Sequence, residues 1–351
     1  MTARNQVMTE RLPLRFKGAP GSPYTRKMLA LLRYRHIPHE LLLGRQAEEQ
    51  KLPRPKVELL PTFYLPNADG VLEAVVDSTP LIRRFEREFS DRAVIADDPV
   101  LAFVDGLLED YGDEWLTKAM FHYRWSYAAD IAKAGRILPL WRNPGLAPEP
   151  LEAAARMIAD RQISRLYVVG SNPVTQPVIE ASYVRCLDIL ERLLQRQPFL
   201  LGQRPGAADF AIYAQLTQLA KFDPTPMAIC LERAPRVYAW VDVVDDLSGL
   251  RAEQAEWLSR ENAREALGEL LGEVGRVYVP ALLANARAVA AGESQWAALI
   301  DGKSWEQPTF PYQAKCLLWI REAYAALTDA DQQAVGRILA DTGCEALLSD
   351  V

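Results

Sequence analysis

The chain has 351 residues, of which 49% are hydrophobic and 25% charged, and its formal net charge is −6. This length allows two or three domains with a substantial core, and the composition is that of a globular protein. The negative net charge and the lack of a long basic run disfavour a general nucleic-acid-binding function, so nucleic acid is not expected as a partner.

The sequence bears on three further properties: the cellular location, membrane insertion, and redox or metal chemistry. Residues 1–11 are polar and lack the apolar region of a signal peptide. No stretch approaches the roughly 18 consecutive apolar residues typical of a membrane span. We therefore predict a cytoplasmic protein with no membrane partner. The four cysteines are far apart and only three histidines are present, so neither a redox pair nor a metal site is predicted.

The first predicted elements are a short strand and a helix. Residues 12–17 alternate weakly between apolar and polar and are followed by glycine and proline, which suits a strand that ends in a loop. Ser22 stands where a helix N-cap belongs, and Pro23 stands where the first helical residue belongs because proline loses no useful N–H there. Apolar residues then recur at helical spacing over residues 24–36, with Lys27 and other basic residues between them.

The rest of the first ninety residues predicts further strands and helices. Residues 40–43 form a predicted buried strand that returns parallel to the first, and a polar, weakly helical connection follows. A strand over residues 59–65 pairs with residues 72–76 across a turn rich in Pro, Asn, Asp and Gly. A further helix covers about residues 79–89 with Ser78 as its N-cap. The predicted order is β-α-β-α-β-β-α.

Three turns in this region carry a family resemblance. They are the helix start at Ser22, the Leu60 and Pro61 pair before a strand, and the Asp77 and Ser78 pair before a helix. Together these turns resemble the thioredoxin-fold half of glutathione S-transferases. The resemblance implies a cis peptide at Pro61, pairing of the Leu60 backbone with the cysteine moiety of glutathione, and recognition of the γ-glutamyl carboxylate by Asp77 and Ser78. Ser22 matches the catalytic residue of the Ser/Cys-type classes, whereas the tyrosine that other classes carry at the end of the first strand is absent.

A second segment resembles the same family. Residues 199–211 are similar to the signature that precedes a core helix in the all-helical half of these transferases. Gly206 stands at the N-cap position usually held by Ser or Thr, so one side-chain bond of the capping box is missing. Asp209 keeps its favourable place near the positive end of the helix. This motif is expected to stabilise the fold and to take no part in chemistry.

The resemblance covers about residues 12–247 and implies the fold class. We predict an α/β thioredoxin-like N-terminal domain at residues 1–90, an all-α transferase-type domain at residues 99–250, and an additional helical extension at residues 251–351 packed on the second domain. Within the all-α domain, residues 99–119 form one long amphipathic pattern, and the four prolines of residues 139–150 predict an exposed loop.

An aromatic cluster at residues 121–127 follows the long helical pattern. The resemblance places this region beside the pocket for an electrophilic co-substrate, which makes Trp115, Tyr123, Arg124 and Trp125 candidate lining residues. For any one of these residues, packing between helices is the favoured interpretation.

The extension, residues 251–351, exceeds what a two-domain transferase needs. Its sequence predicts several helices, interrupted at residues 275–280, and an irregular aromatic patch. The patch consists of Trp296, Trp305, Phe310 and Tyr312. We expect this patch to fold onto the helical domain near residues 121–127 and to narrow the electrophile pocket. Packing wholly within the extension is an equally weighted alternative, and association with another chain remains open.

The leading functional hypothesis is a glutathione-dependent transferase. Glutathione serves as co-substrate without a metal, and Ser22 activates its thiol for attack on an electrophilic small molecule. A cysteine at this position would instead favour thiol exchange. The alternative is a non-catalytic binding or scaffold protein of the same fold. A homodimer is one assembly that we consider for either function.

Overall fold

The structure, a computed structural model, describes residues 13–348 of the chain. The polar segment considered above, residues 1–11, lies outside the described residues, as do Leu12 and residues 349–351. Within the described range no helix is both long and apolar enough to cross a membrane. The cysteines at positions 186, 230, 316 and 344 are all buried and unpaired.

The first part of the described chain is a mixed sheet with helices. Its elements are β1 (Leu14–Lys17), α1 (Pro23–Tyr34), β2 (His39–Leu42), α2 (Gln46–Glu49), β3 (Thr62–Pro66), β4 (Leu72–Val75) and α3 (Ser78–Glu88). The strand order is β2-β1-β3-β4, with β1 parallel to β2 and the other pairs antiparallel. Phe16 on β1 stacks on Phe63 of β3 with ring centroids 4.5 Å apart. The predicted order of elements and the thioredoxin-like class are confirmed.

The second part is entirely helical within the described residues. Its helices are α4 (Pro99–Glu114), α5 (Leu116–Ser126), α6 (Ala128–Arg142), α7 (Pro148–Ile163), α8 (Gln176–Leu193), α9 (Ala207–Leu219), α10 (Pro224–Arg233) and α11 (Pro235–Asp245), with a 3₁₀ turn at Leu166–Val169. The predicted helix over residues 99–119 is wrong in extent, because the helix is interrupted at Trp115 and resumes as α5. The predicted exposed loop over residues 139–150 is confirmed only at residues 143–147, because Pro139 is buried inside α6 and α7 begins at Pro148.

The start of α9 explains why Gly206 is tolerated at the N-cap. Asp209 accepts hydrogen bonds from the Gly206 N–H and the Leu200 N–H, both at 2.9 Å. The missing side-chain cap is replaced by Asp105 of α4, whose carboxylate accepts from the N–H groups of the first two helical residues at 3.0 and 3.1 Å. A Cβ atom at position 206 would lie 2.4 Å from Asp105 Oδ1. Glycine at position 206 therefore leaves space for Asp105, which caps α9 from a different helix.

The extension contains helices and a β-hairpin. Its elements are α12 (Arg260–Glu273), a π-helical segment (Val274–Tyr278), α13 (Val279–Ala290), β5 (Gln295–Ile300), β6 (Lys303–Pro308), α14 (Pro311–Ala325) and α15 (Asp329–Leu339). The purely helical and irregular description predicted for this part is therefore wrong at residues 295–308, where β5 and β6 pair antiparallel. Asp301 and Gly302 have φ values of 51° and 70°, as a tight hairpin turn requires.

One hydrophobic core runs through all three parts. Phe63 of the sheet, Trp115 between α4 and α5, and Trp305 of β6 belong to the same buried cluster. The extension therefore packs on the rest of the chain and shares its interior, as predicted. The domain boundaries proposed from the sequence stay predictions.

Candidate functional site

The start of α1 brings Ser22 to Leu60. The Ser22 hydroxyl oxygen caps the helix by accepting from the Thr25 N–H at 3.3 Å, and the hydroxyl donates to the Leu60 carbonyl oxygen, also at 3.3 Å. The Leu60–Pro61 peptide is cis, as predicted. A half-buried hydroxyl thus lies at the positive end of a helix beside the backbone of the half-buried segment that leads into β3. This arrangement favours an anion near Ser22.

The loop before Ser22 is held by the helical part. The Gly21 carbonyl accepts from Arg124 Nη1 at 3.2 Å, and Arg124 is in turn paired with the buried Asp223 at 2.9 Å. A Cβ atom at Gly21 would lie 2.3 Å from Leu138 Cδ2 of α6, so a larger residue would collide there. Arg124 is only 4% exposed. It therefore fixes the loop and does not line a pocket.

Asp77 and Ser78 have roles that differ from the predicted ones. Asp77 is the N-cap of α3: its Oδ1 accepts from the Thr79 N–H at 3.3 Å, and its φ is +82°. Ser78 is the first helical residue, which corrects its prediction as the cap. The second oxygen of Asp77 accepts from the Tyr312 hydroxyl of α14 at 2.8 Å. Burial raises the pKa of Asp77, although the bonds from Tyr312 and Thr79 oppose that shift.

Lys27 connects Ser78 to the helical part. Its Nζ is fully buried and donates to Ser78 Oγ at 3.2 Å, Glu109 Oε1 at 2.8 Å and Asp113 Oδ2 at 2.6 Å. Burial lowers the pKa of Lys27, but the two carboxylates outweigh burial and raise it overall. The sequence interpretation placed Lys27 among the polar residues of α1, which is wrong. Its spacing of four and seven residues from Leu31 and Tyr34 could have indicated the buried face.

A group of acidic side chains surrounds this ion pair. Burial raises the pKa of Asp113 to about 7, that of Glu114 to about 8 and that of Asp110 to about 6. Two of them meet neutral donors from the extension: Gln313 Nε2 donates to Glu114 at 3.1 Å and the Tyr278 hydroxyl donates to Asp110 at 2.5 Å. With the Tyr312 contact to Asp77, the extension thus supplies donors to three carboxylates of the preceding parts.

A cavity of about 760 Å³ lies between the sheet side and the helical part. Among the predicted site residues, only Leu60 lines it. The other lining residues come from β1, the segment around α2, and helices α5 to α7 with the following turn; they include Lys17, Lys51, Arg54, Leu59, Tyr64, Phe121, Arg142, Arg161, Arg165, Val168 and Val169. Ser22, Pro61, Asp77 and Ser78 lie outside its lining, although Ser22 bonds to Leu60 on its edge.

The aromatic candidates mostly pack in the core. Trp115 and Tyr123 are each 1% exposed and Trp125 is 2% exposed, so the packing interpretation holds for these three residues. Phe121, the first residue of the aromatic cluster, does line the cavity. Helical period alone would not have distinguished it, because Trp125, four residues later on the same face of α5, is buried.

The extension supports the cavity wall from behind. Gln307 of β6 donates to the Val168 carbonyl at 2.9 Å and accepts from Lys118 Nζ at 3.1 Å, and Trp305 packs on Trp115 with ring centroids 5.4 Å apart. No residue of the extension is among those that line the cavity. The extension therefore contacts the helical part but does not narrow this cavity. That it narrows the pocket for an electrophile stays a prediction.

Hydrogen bonds of a buried histidine also hold α5, the helix that contributes Phe121 to the cavity wall. His122 of α5 lies 2.8 Å from Ser171 Oγ through Nδ1 and 3.1 Å from Glu180 through Nε2. Burial lowers the pKa of His122, although Glu180 opposes the shift. Among residues 13–348 no group of three or more His, Cys, Asp or Glu side chains could hold a metal ion.

The described chain thus consists of a thioredoxin-like sheet part, a helical bundle, and an extension that packs on them. The family model for the glutathione S-transferase N-terminal domain matches residues 17–93, and the model for the C-terminal domain of the same family matches residues 151–242. The chain belongs to the glutathione S-transferase superfamily. A comparison of the sequence with curated proteins gave no match.

Three solved structures illustrate the structural likeness. A glutathione S-transferase from Methylobacterium radiotolerans, in complex with glutathione sulfonate, is 18% identical, with a TM-score of 0.39 over 69% of this chain and 92% of that chain. A family member from Pseudomonas fluorescens with two bound glutathiones is 12% identical, with a TM-score of 0.42 over 69% and 93%. A transferase from Burkholderia graminis, also with two glutathiones, is 16% identical, with a TM-score of 0.42 over 68% and 87%.

Proposed function

We propose that the protein is a glutathione-dependent transferase that activates the glutathione thiol for attack on an electrophilic small molecule. The observation that carries this proposal is the contact between the Ser22 hydroxyl and the Leu60 carbonyl at the start of α1. It supports a site in which the backbone of Leu60, before the cis Pro61, pairs with the cysteine moiety while Ser22 faces its sulfur. The homodimer and the cytoplasmic location stay predictions.

The chemistry requires a thiolate at neutral pH, and an unperturbed thiol has a pKa of about 8.5. The positive end of α1 favours the anion, and so does a hydrogen bond from Ser22 once its one hydroxyl hydrogen turns from the Leu60 carbonyl to the sulfur. Lowering the pKa by about two units corresponds to about 2.7 kcal/mol of differential stabilisation. The thiolate then attacks the electrophilic carbon, and Ser22 acts as an activator without forming a covalent bond. The absence of a cysteine at this position disfavours thiol exchange through a mixed disulfide.

The γ-glutamyl end is assigned to the start of α3. The N–H and hydroxyl of Ser78 at the positive end of the helix are proposed to bind the carboxylate, and Asp77 supplies a negative charge for the ammonium group. Lys27, bonded to Ser78, adds positive charge beneath the same helix end. These contacts support the proposed polarity of glutathione across the site.

Replacement of Asp77 tests the binding step. Asp77→Asn keeps a helix-capping oxygen but removes the charge, so we expect glutathione affinity to fall by about 1–3 kcal/mol, measured by calorimetry. Tyr312→Phe is the matched control: it removes only the bond from the extension and should not weaken binding. Equal affinity of the Asp77→Asn variant and the wild type would remove Asp77 from the site.

Replacement of Ser22 tests the chemical step. In Ser22→Ala we expect the pKa of bound glutathione to rise by up to about two units and kcat/KM at neutral pH to fall by up to about 100-fold, with affinity nearly unchanged. Thiolate absorbance against pH gives the pKa. Ser22→Gly is the control for capping, because glycine is a tolerated cap without a hydroxyl. A loss of affinity without any pKa change would make Ser22 a helix cap only.

The bond from Tyr312 to Asp77 favours a second candidate function. In this alternative the extension occupies the glutathione site, and the protein is a non-catalytic binding or scaffold member of the family. The calorimetric titration separates the two functions, because wild-type protein that does not bind glutathione would support the scaffold and exclude the transferase.

A further inference from the structure

The lining of the cavity beside Leu60 has six basic residues against two acidic ones, Glu48 and Glu58, although the chain as a whole carries a formal charge of −6. The acidic residues lie on the sheet side, where Glu48 pairs with Lys17.

The helical wall contributes Arg142 from the end of α6, Arg161 from the last turn of α7 and Arg165 just after α7, all with exposed side chains. Within residues 13–348 none of these three arginines forms an ion pair, so the helical wall carries three positive charges without a carboxylate partner. A cleft with an excess of one sign of charge concentrates ligands of the opposite sign.

The same cavity has an apolar side. Phe121 of α5 and the pair Val168 and Val169 of the 3₁₀ turn lie on the helical wall with the arginines. An occupant that satisfies both features has an apolar body and an acidic group with several oxygens. Arginine suits such groups because its planar fork donates two parallel hydrogen bonds to a carboxylate.

Glutathione itself does not account for all of this charge. Leu60, the proposed partner of its cysteine moiety, is on the sheet side of the cavity, where Lys51 and Arg54 also lie. Lys51 and Arg54 are close in sequence to Leu60, and their side chains can bind the glycyl carboxylate of glutathione. The three arginines of the helical wall face them from the other side and remain for a second molecule.

We propose that the electrophilic co-substrate is an organic anion, an aromatic or similarly apolar molecule with a carboxylate or related acidic group, held by Arg142, Arg161 and Arg165. This inference rests on the proposed transferase function and names the substrate class of the same site. In the reaction with a chloroaromatic acid, the glutathione sulfur forms a bond to the ring carbon and the carbon–chlorine bond breaks. Chloride leaves with the electron pair, so no oxidant or reductant is required.

Binding without chemistry provides the first test. Dinitrobenzoate and dinitrobenzamide have the same ring and differ in charge, and in the absence of glutathione no thiolate is present to displace a nitro group from either. We expect wild-type protein to bind the acid at least about tenfold more tightly than the amide, as measured by calorimetry, and the preference to shrink at high salt. The Arg161→Gln/Arg165→Gln double variant should lose the preference. Arg287→Gln, an exposed arginine on α13 outside the cavity lining, should keep it.

Turnover provides the second test. The ratio of kcat/KM for a chlorodinitrobenzoate to that for its carboxamide, each corrected for the uncatalysed rate, should fall at least about tenfold in the double variant. Arg142→Gln alone should lower the ratio in the same direction and serves if the double variant is unstable. Equal affinity for acid and amide, or an undiminished preference in the arginine variants, would overturn the proposal. A retained acid preference in protein that does not bind glutathione would instead overturn the transferase function and leave the anion site standing.

Discussion

A chain that ends at Gly249 is expected to lose more than about 5 kcal/mol of folding free energy and to aggregate. The extension shares the core of the remaining parts, and each large apolar side chain that returns to water costs about 1.5–3 kcal/mol. Trp115, 1% exposed in the full chain, would lose Trp305 as its cover. Leu267, Leu270 and Leu271 of α12 would also be removed from the shared core.

The same truncation removes hydrogen-bond donors from three carboxylates. Asp77 loses the Tyr312 hydroxyl, Asp110 loses the Tyr278 hydroxyl and Glu114 loses Gln313. Water replaces these donors once the extension is gone, so each lost hydrogen bond adds about 0.5–1.5 kcal/mol to the cost of the exposed apolar surface.

Thermal unfolding and light scattering measure the effect of the truncation. A chain cut after Leu348 is the matched control, because it keeps all of the described structure. A truncated protein that is soluble, as stable as the full chain and unchanged in substrate range would show that the extension folds separately from the rest.

The variant Lys27→Met is expected to be less stable by about 3–5 kcal/mol at neutral pH. Lys27 is the buried cation between Glu109 and Asp113, and removing one partner of a buried ion pair leaves uncompensated charge in the interior. Lys315→Met, at an exposed position on α14, is the matched control and should change stability by less than about 0.5 kcal/mol. Denaturant unfolding measures both variants.

The effect of Lys27→Met should depend on pH in a defined direction. With Lys27 present, the pKa of Glu109 is lowered despite its burial, whereas burial already raises the pKa of Asp113 to about 7. Without the ammonium group, the folded-state pKa of Glu109 rises above its unfolded value and that of Asp113 rises further. The folded state then binds more protons than the unfolded state, so the stability of the variant falls as pH rises through this interval. The gap to the wild type should therefore narrow on acidification toward pH of about 5. A gap that is constant with pH would mean that lost packing, and not unpaired charge, causes the destabilisation.

Local sequence signals were sufficient for the sheet part. Ser22 followed by Pro23 starts α1 because a capping oxygen and a preset φ act within one turn of chain. The turn between β3 and β4 and the cap of α3 are equally local, although the capping residue is Asp77 and not Ser78. The hairpin of the extension carried a similar local signal, Asp301 and Gly302 at its turn, which the sequence interpretation missed.

Other features depend on residues far apart in the chain. Pro139 is a helix breaker by its own chemistry, yet it is buried within α6, where α6 packs on α7 and Gly135 allows close approach to Ala155. Position 275, within a π-helical segment, requires glycine because the Thr342 carbonyl oxygen occupies the space where a Cβ atom would lie. Packing of this kind outweighs local propensity, and no short window of sequence contains both partners.

The amino-acid sequence by itself determined the thioredoxin-like order of elements, the family, and the candidate residues Ser22, Leu60, Pro61, Asp77 and Ser78, because capping and turn chemistry act between near neighbours. Only the tertiary structure decided their surroundings. In the folded chain Lys27 is buried among carboxylates, Tyr312 donates a hydrogen bond to Asp77, and arginines from two helices line one cavity. These contacts depend on how distant helices pack, and the free energy of that packing is a sum over partners that the local pattern does not identify.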